Sequence, residues 1–174
     1  MQLQPIKGKF DSEHLMNIHK YLFEDIYPFA GSFRTCTMAK TTRNFYDPDM
    51  IRDELEKELK ELNDSFKIIG NNYKNMTFAD DSFLYSYATV LANAYYQIMT
   101  IHPFREGNGR STREFLREFV VYNNINLSFD LELDFSKMDK ENALKGVEYK
   151  FIYPSMLMME FKKALVSMVK EKTK

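Results

Sequence analysis

An all-α domain with one small β-hairpin is the fold class that this sequence predicts. Apolar side chains recur at steps of three and four along most of the 174 residues, which is the period of an amphipathic helix. The period fails over residues 27–47, a stretch that is rich in turn-forming residues and threonine. The length suits one domain, which we expect to cover residues 1–174. The hairpin is expected at about residues 33–47.

The first two helices are predicted from a capping residue that is followed by an apolar seam. Asp11 is a favoured N-cap for a helix that runs to about Glu24. Asp47 and Pro48 start a second helix, because proline is favoured at the first helical position. The inward positions are Leu15, Ile18, Leu22 and Ile26 in the first helix and Ile51, Leu55, Leu59, Leu62 and Phe66 in the second. The loop expected after the second helix contains Asn71, Asn72 and Asn75.

A charge-free segment at residues 82–101 predicts a third helix. At ~20 residues it is long enough to cross a bilayer. However, polar residues recur along it at steps of three and four, which forms a stripe that would be costly in lipid. We therefore expect a central helix of a soluble domain and no membrane partner. The stripe consists of Ser82, Ser86, Thr89, Asn93, Gln97 and Thr100.

Three more helices are expected in the second half of the chain. The first runs from Arg110 to about Tyr122. The others cover Asp139–Glu148 and Ser155–Lys172, the last one entered through Pro154. The residues that the first of these helices should bury are Phe115, Leu116, Phe119 and Val120.

Composition excludes several classes of protein. The 24 Lys and Arg residues are balanced by 25 Asp and Glu residues, which argues against a nucleic-acid partner. Cys36 is the only cysteine, so the chain has neither an internal disulfide nor a cysteine-built zinc site. The stretch Met1–Phe10 lacks the apolar core of a signal peptide. A cytoplasmic location is the simplest expectation.

Chemically useful groups concentrate in residues 102–113, His-Pro-Phe-Arg-Glu-Gly-Asn-Gly-Arg-Ser-Thr-Arg. The glycine-flanked start of a helix can gather backbone N–H groups around an anion. Arg110 and Arg113 are neighbours on one helix face, and guanidinium groups suit phosphate oxygens. Glu106 offers a hard oxygen ligand for Mg²⁺, and His102 can accept a proton from a hydroxyl. Such a set predicts a phosphoryl- or nucleotidyl-transfer site.

Residues 102–113 match the signature His-Pro-Phe-x-(Asp/Glu)-Gly-Asn-Gly-Arg-x-x-Arg at every defined position, and the chain therefore resembles the Fic (Fido) family. The stretch 27–34, Tyr-Pro-Phe-Ala-Gly-Ser-Phe-Arg, is similar to the segment that leads into the family's flap. Residues 37–45 occupy the position of that flap. The resemblance thus covers most of the chain and implies a Fic-type helical domain.

The resemblance implies a protein adenylyltransferase, which transfers AMP from ATP to a Ser, Thr or Tyr hydroxyl of a target protein in the presence of Mg²⁺. By position, His102 would be the general base, Phe104 a core anchor, and Glu106 the ligand of Mg²⁺. The ATP-binding residues implied are Arg105, Glu106, Gly107, Asn108, Gly109, Arg110 and Arg113, with Asn108 steering the α-phosphate and Arg113 holding the γ-phosphate. The flap would dock the target as an added strand. Its docking residues would be Lys40, Thr41, Thr42 and Phe45.

Two alternatives stay open at this stage. A Doc-like kinase or another nucleotidyl or phosphoryl transferase can share this fold, although Doc-type kinases carry Lys where this chain has Gly109. Gly109 together with Arg113 favours AMP transfer. The second alternative is a non-catalytic module that binds a nucleotide or a partner, and the intact His102 counts against it.

Regulation by an inhibitory helix is a further implication of the resemblance. Many Fic proteins are restrained by a (Ser/Thr)-x-x-x-Glu-(Gly/Asn) helix, whose Glu would pair with Arg113. The loose pattern fits Ser167 to Glu171, which is followed by Lys172, and also Ser128 to Glu132. We favour a free domain or one restrained by a separate antitoxin, and self-inhibition through Glu171 stays open. As an effector, the protein would act after delivery into a host cell.

Overall fold

Helices dominate the computed structural model of this chain, which describes residues 5–40, 43–150 and 155–169. The described helices are α1 (Ser12–Phe23), α2 (Ile51–Tyr73), α3 (Asp81–Ile101), α4 (Asn108–Asn123), α5 (Lys140–Glu148) and α6 (Met156–Ala164). The described strands are β1 (Ala39–Lys40), β2 (Arg43–Asn44), β3 (Phe129–Leu133) and β4 (Leu165–Val169). The predicted fold class, all-α with a small β-hairpin, is confirmed.

Of the two predicted capping residues, Asp11 caps its helix through its side chain and Asp47 does not. Asp11 Oδ1 accepts a hydrogen bond from the backbone N–H of His14 at 2.9 Å and caps α1. Asp139 Oδ1 accepts one from the N–H of Asn142 at 2.9 Å and caps α5. At Asp47 the side chain makes no capping bond, and a short 3-10 turn precedes α2.

The predicted seam of α2 is buried along its whole length. Its five apolar side chains are at most 6% exposed. In α1 the inward face is shorter than predicted, because Ile26 lies beyond the helix end and is 62% exposed. Asn71 and Asn72 were expected in a loop, but they belong to the last turn of α2.

The central helix α3 buries its apolar face as predicted, with Phe83, Leu91 and Ile98 fully enclosed. None of the helices in the described ranges is long and apolar enough to cross a membrane.

The flap is the hairpin formed by β1 and β2. The strands are antiparallel, with Ala39 opposite Asn44. Phe45 extends the pairing, because its N–H donates to the Met38 carbonyl at 3.2 Å. The predicted docking residues Thr41 and Thr42 lie outside the described residues.

A second two-stranded sheet corrects the prediction for the end of the chain. The helix expected over Ser155–Lys172 stops at Ala164, and β4 then pairs antiparallel with β3 from Leu165 opposite Leu133 to Val169 opposite Phe129. Residues of β3 alternate between buried and more exposed, a period of two that sequence reasoning overlooked. Pairing with β3 therefore overrides the helical pattern at the chain's end.

The chain divides into two compact units, each built from two segments. The first contains Met1–Asn63 and Ala94–Glu118, and the second contains Asp64–Asn93 and Phe119–Lys174. The first unit buries an aliphatic and aromatic core from α1, α2, α3 and α4. The second is built on edge-to-face aromatic pairs, whose ring centroids are 4.6 to 5.3 Å apart. These pairs are Phe66 with Phe119 and Phe83 with Phe129. A single domain over residues 1–174 stays a prediction.

Candidate active site

Residues 102–109, here called the signature loop, run from the end of α3 into the first turn of α4. The backbone enters the left-handed region twice within it, at His102 with φ 53° and at Gly107 with φ 82°. Such a conformation costs about 1–3 kcal/mol for a residue other than glycine and persists only where the surroundings enforce it. The contacts that hold His102 in this conformation are therefore part of the site.

Asn108 braces the signature loop from inside. Its Oδ1 accepts from the backbone N–H of Phe104 at 2.8 Å, and its Nδ2 donates to the Phe104 carbonyl at 2.7 Å. Thr112 Oγ1 donates to the Asn108 carbonyl at 2.7 Å. Both polar ends of the buried Asn108 amide are thus committed to the loop. The group of Asn108 that is left to meet an anion is its backbone N–H, which belongs to the first turn of α4 and has no carbonyl of that helix to bond.

The floor of the loop is the stacked pair Phe104 and His19, with ring centroids 3.8 Å apart. His19 Nδ1 accepts from the N–H of Gly31 at 2.9 Å, which leaves Nε2 to donate to the Glu106 carbonyl at 3.0 Å. Burial lowers the pKa of His19; the bond to the Glu106 carbonyl opposes this and the charge of Arg110 adds to it. A neutral imidazole with one fixed proton therefore supports the loop.

Gly107 is required by the packing of the loop. A Cβ built on it would lie 2.5 Å from Cε2 of Phe23, and its φ of 82° is one that other residues rarely adopt. Because Phe23 is itself 2% exposed, its ring has little room to retreat. Residues 107–109 are here called the cradle, and its first glycine, Gly107, is therefore fixed by the protein's own core.

Gly109 is different, because the protein itself does not exclude a side chain there. Its nearest neighbours to an added Cβ would be Arg113 Nη1 at 3.5 Å and the Tyr95 hydroxyl at 3.8 Å, which are ordinary contact distances. The absent side chain keeps the space beside the Arg113 guanidinium open. The absence of a side chain at position 109 is therefore better explained by the room that a ligand needs than by the packing of the fold.

Arg113 is held by a hydrogen bond to the Tyr95 side chain. Burial raises the pKa of Tyr95, and the charge of Arg113 and this hydrogen bond oppose the rise. Within residues 5–40, 43–150 and 155–169, no carboxylate forms a salt bridge with Arg113. Its positive charge is therefore available to a phosphate.

Glu106 and Arg110 lie at the exposed rim of the cradle. Glu106 Oε1 accepts from the N–H of Gly107 at 2.8 Å and lies 3.4 Å from Arg110 Nη2. The Arg110 guanidinium also covers the Phe23 ring at 4.5 Å. A surface ion pair of this kind stabilises by less than about 1 kcal/mol, so Glu106 can turn away at little cost. Arg105 is exposed, and its guanidinium lies 5.6 Å from the centroid of the Phe29 ring.

No group of three or more His, Cys, Asp or Glu side chains in the described part of the chain could hold a metal ion. A divalent cation at this site would need Glu106 together with oxygens from a ligand. Mg²⁺ typically takes one or two carboxylates plus substrate phosphates, so this donor set fits a nucleotide-borne Mg²⁺.

His102 is stacked on the flap. Its ring lies 3.8 Å from that of Phe45, centroid to centroid, with the planes 8° apart. The predicted base and one predicted docking residue are thereby brought together. Lys40 ends β1, and only its backbone is described.

Sequence reasoning missed three residues that support the site, namely His19, Phe23 and Arg34. Their positions in α1 and before the flap are remote in sequence from the signature loop. Arg34 is the last residue of the stretch 27–34, and the similarity of this stretch to the family's segment before the flap was the one sequence signal for it.

The described parts of the two segments that fit the inhibitory pattern lie in or next to strands. Ser128 directly precedes β3, Glu132 lies within it, and Ser167 lies in β4. Glu171 lies outside the described residues.

The chain is similar to known proteins in sequence and in fold. The model of the Fic/DOC family matches residues 9–120. The probable protein adenylyltransferase y4lH of Sinorhizobium fredii is 29% identical over 140 residues, which cover 80% of this chain and 65% of that protein. The protein adenylyltransferase VbhT of Bartonella schoenbuchensis is 31% identical over 113 residues, which cover 64% of this chain and 21% of that protein. The chain thus spans less than two thirds of the length of these relatives.

Solved structures share the fold. BepC of Bartonella tribocorum, crystallised with AMPPNP, matches with a TM-score of 0.71 at 22% identity, over 94% of this chain and 78% of that one. The N-terminal Fic domain of a Bartonella quintana protein, crystallised with ADP, gives a TM-score of 0.75 at 22% identity, over 95% and 77%. Since the family model covers well over half of its residues, this chain belongs to the Fic/DOC family.

Proposed function

We propose that this protein is a protein adenylyltransferase that moves AMP from ATP to a hydroxyl of a target protein. The observation that carries the proposal is the signature loop, in which a braced backbone has an imidazole at one end and a glycine-lined helix start at the other. Relatives named as adenylyltransferases, and related folds holding AMPPNP and ADP, support the same reading.

In the proposed reaction the target hydroxyl attacks the α-phosphorus of ATP. The bond to the β-phosphate oxygen breaks, pyrophosphate leaves, and His102 takes the hydroxyl proton. Negative charge grows on the α-phosphate oxygens, where the first N–H groups of α4 and the helix dipole would stabilise it. Arg113 would bind the phosphate tail, with Arg105 and Arg110 at the rim.

Glu106 would change partners when a nucleotide binds. In the structure its carboxylate accepts from the Gly107 N–H, which is one of the donors that an anion would need. We expect it to turn outward and hold Mg²⁺ together with the phosphates. The ion would neutralise charge on the phosphates.

The flap would hold the target segment next to His102. Its short strands offer backbone groups for an added strand, a mode of binding that depends little on the target's sequence. Phe45, already stacked on His102, would contact the residue that carries the hydroxyl. We further propose that any inhibition acts through Arg113, from a separate antitoxin or from Glu171, which lies outside the described residues.

The test is incubation with Mg²⁺ and candidate target extract, using ATP labelled at the α- or the γ-phosphate in parallel. We expect α-label in protein and its loss in His102→Ala, by a factor on the order of 10² to 10⁴. Nucleotide binding by calorimetry should persist in His102→Ala. Tyr122→Ala is the matched control, because Tyr122 is 63% exposed and lies outside the site.

Other results would contradict the proposal in distinct ways. Transfer of only the γ-label would assign a Doc-like kinase. Tight ATP binding without transfer of either label would assign a non-catalytic binding module. Removal of Mg²⁺ with EDTA should abolish transfer, and transfer that persists would exclude the role given to Glu106.

A further inference from the structure

Arg34 is a buried arginine whose side chain bonds backbone carbonyls on both sides of the site. It is 2% exposed, and its Nε donates to the His102 carbonyl at 2.7 Å. Its Nη2 donates to the Ile101 carbonyl at 3.2 Å, and its own backbone N–H donates to the Pro103 carbonyl at 2.9 Å. One residue thus binds three successive carbonyls around the left-handed turn at His102.

The other bonds of Arg34 reach the two ends of the flap. Nη1 donates to the Cys36 carbonyl at 2.8 Å, before β1, and Nη2 donates to the Tyr46 carbonyl, after β2. The hairpin between these points carries Phe45, which is stacked on His102. The same guanidinium therefore binds the turn at His102, the proposed general base, and both ends of the flap.

The buried guanidinium of Arg34 bonds four backbone carbonyls, and these hydrogen bonds have to compensate the burial of its charge. A buried charge is costly unless it is fully hydrogen-bonded, and burial lowers the pKa of Arg34. The planar fork can satisfy several carbonyls in fixed directions, whereas a lysine ammonium is a point donor on a flexible stem. Such hydrogen bonds suit a residue that fixes the orientation of the backbone segments whose carbonyls it binds.

We infer that Arg34 is a positioning residue, which sets the orientation of His102 and of the flap together so that base and target hydroxyl meet. The inference rests on the proposed function for its catalytic consequence, but its structural part can be tested without any activity. Arg34 contacts neither substrate nor reacting atoms in this assignment.

The structural test uses the imidazole signals in a long-range ¹H–¹⁵N spectrum. The chain has three histidines, so His102 is assigned by the loss of its signal in His102→Asn. The stacked Phe45 ring should shift the His102 ring protons, and Phe45→Leu gives their position without that ring. In folded Arg34→Lys we expect the His102 signal to move toward the Phe45→Leu position, while the His14 and His19 signals stay in place.

Asn124→Ala is the matched control. Asn124 is also a buried side chain that bonds backbone, accepting from the Leu131 N–H at 3.0 Å and donating to its carbonyl at 2.9 Å. It lies in the other compact unit, and the His102 signal should not move in this variant. An unmoved His102 signal in Arg34→Lys, or equal movement of all three histidine signals, would overturn the inference.

A measurement on the wild-type chain covers the case in which Arg34→Lys does not fold. The Arg34 Nε–H should exchange slowly with solvent, because its bond to the His102 carbonyl is enclosed. Fast exchange of this proton, at the rate of exposed arginines, would overturn the inference as well.

The catalytic test compares steady-state constants. We expect Arg34→Lys to lower kcat and to raise KM for the target protein, with a combined loss of about 10²-fold, as for a misplacement of about 1 Å. KM for ATP should change by less than about twofold, because no bond of Arg34 reaches residues 105–113. A rise in KM for ATP alone would overturn the inference. An inactive wild type would defeat the proposed function and leave the spectroscopic test to decide on Arg34.

Discussion

The signature loop and the flap lie side by side in the same compact unit, yet they are held in opposite ways. The loop has its backbone bonded by buried side chains, with Asn108 inside it and His19 beneath it. The flap has two strands of two residues each, in which Ala39 and Asn44 are exposed, and Arg34 bonds the backbone at both ends of the hairpin. Bonds from buried side chains are thus concentrated where charge would develop on a phosphate, and those that hold the described part of the flap lie at its two ends.

If this comparison is correct, substitutions in the loop should cost much folding free energy and those in the flap little. The largest loss is expected for Asn108→Ala, which leaves the buried N–H and carbonyl of Phe104 without partners. We expect the free energy of unfolding to fall by about 2–4 kcal/mol, measured by urea denaturation. Asn108→Asp keeps the acceptor and should lose less. Equal losses in the two variants would mean that the amide's two bonds are not what braces the loop.

The two glycines of the cradle should respond with opposite signs. Gly107→Ala forces a Cβ against Phe23 and should destabilise by about 1–3 kcal/mol. Gly109→Ala meets no such obstacle within α4 and should stabilise by up to about 1 kcal/mol, while ATP binding weakens because the space beside Arg113 is filled. Gly70→Ala, with open space around the added Cβ in α2, is the control for helix propensity alone. Unchanged ATP affinity in Gly109→Ala would remove the argument that a ligand fixes this glycine.

The support under the loop should weaken in mild acid. Since the pKa of His19 is lower in the folded chain than its ordinary value of about 6.5, the unfolded chain binds the proton more readily, and stability should fall as pH drops below about 6.5. His19→Gln removes this titration and can still donate to the Glu106 carbonyl. Its free energy of unfolding should therefore depend less on pH between 7 and 5. Parallel pH curves for the two proteins would exclude His19 as the cause.

The smallest effect on folding is expected in the flap. Phe45→Ala removes one stacked ring and should cost about 0.5–1.5 kcal/mol of stability. The main consequence should be a higher KM for the target protein with unchanged ATP affinity, measured by calorimetry and by label transfer. Phe45→Tyr keeps the ring and serves as the control. A loss of ATP affinity in Phe45→Ala would show that flap and cradle are not separable.

Local sequence signals predicted the parts of the fold that depend on local physics. Asp11 caps its helix and the apolar seam of α2 is buried, as predicted, because capping and amphipathic period are properties of neighbouring residues. The signature loop was found because its chemical groups lie within one short stretch.

Pairing between segments that are distant along the chain could not be predicted from local sequence patterns. Residues 165–169 have a pattern compatible with a helix and become β4 only because β3 offers them a partner. The roles of Arg34 and His19 likewise depend on carbonyls that are distant along the chain. A side chain whose partners are backbone atoms leaves no complementary residue type in the sequence to reveal it.

Because each compact unit is built from two segments, the order of synthesis decides which unit is complete first. The unit that carries the signature loop has its last segment once residue 118 has left the ribosome, whereas the other unit needs residues as far as β4. Until β4 emerges, β3 presents an unpaired edge with three apolar side chains, which invites association with other chains. Nascent molecules should therefore be most prone to aggregate between the emergence of β3 and that of β4, after residues 107–109 are already able to form their turn.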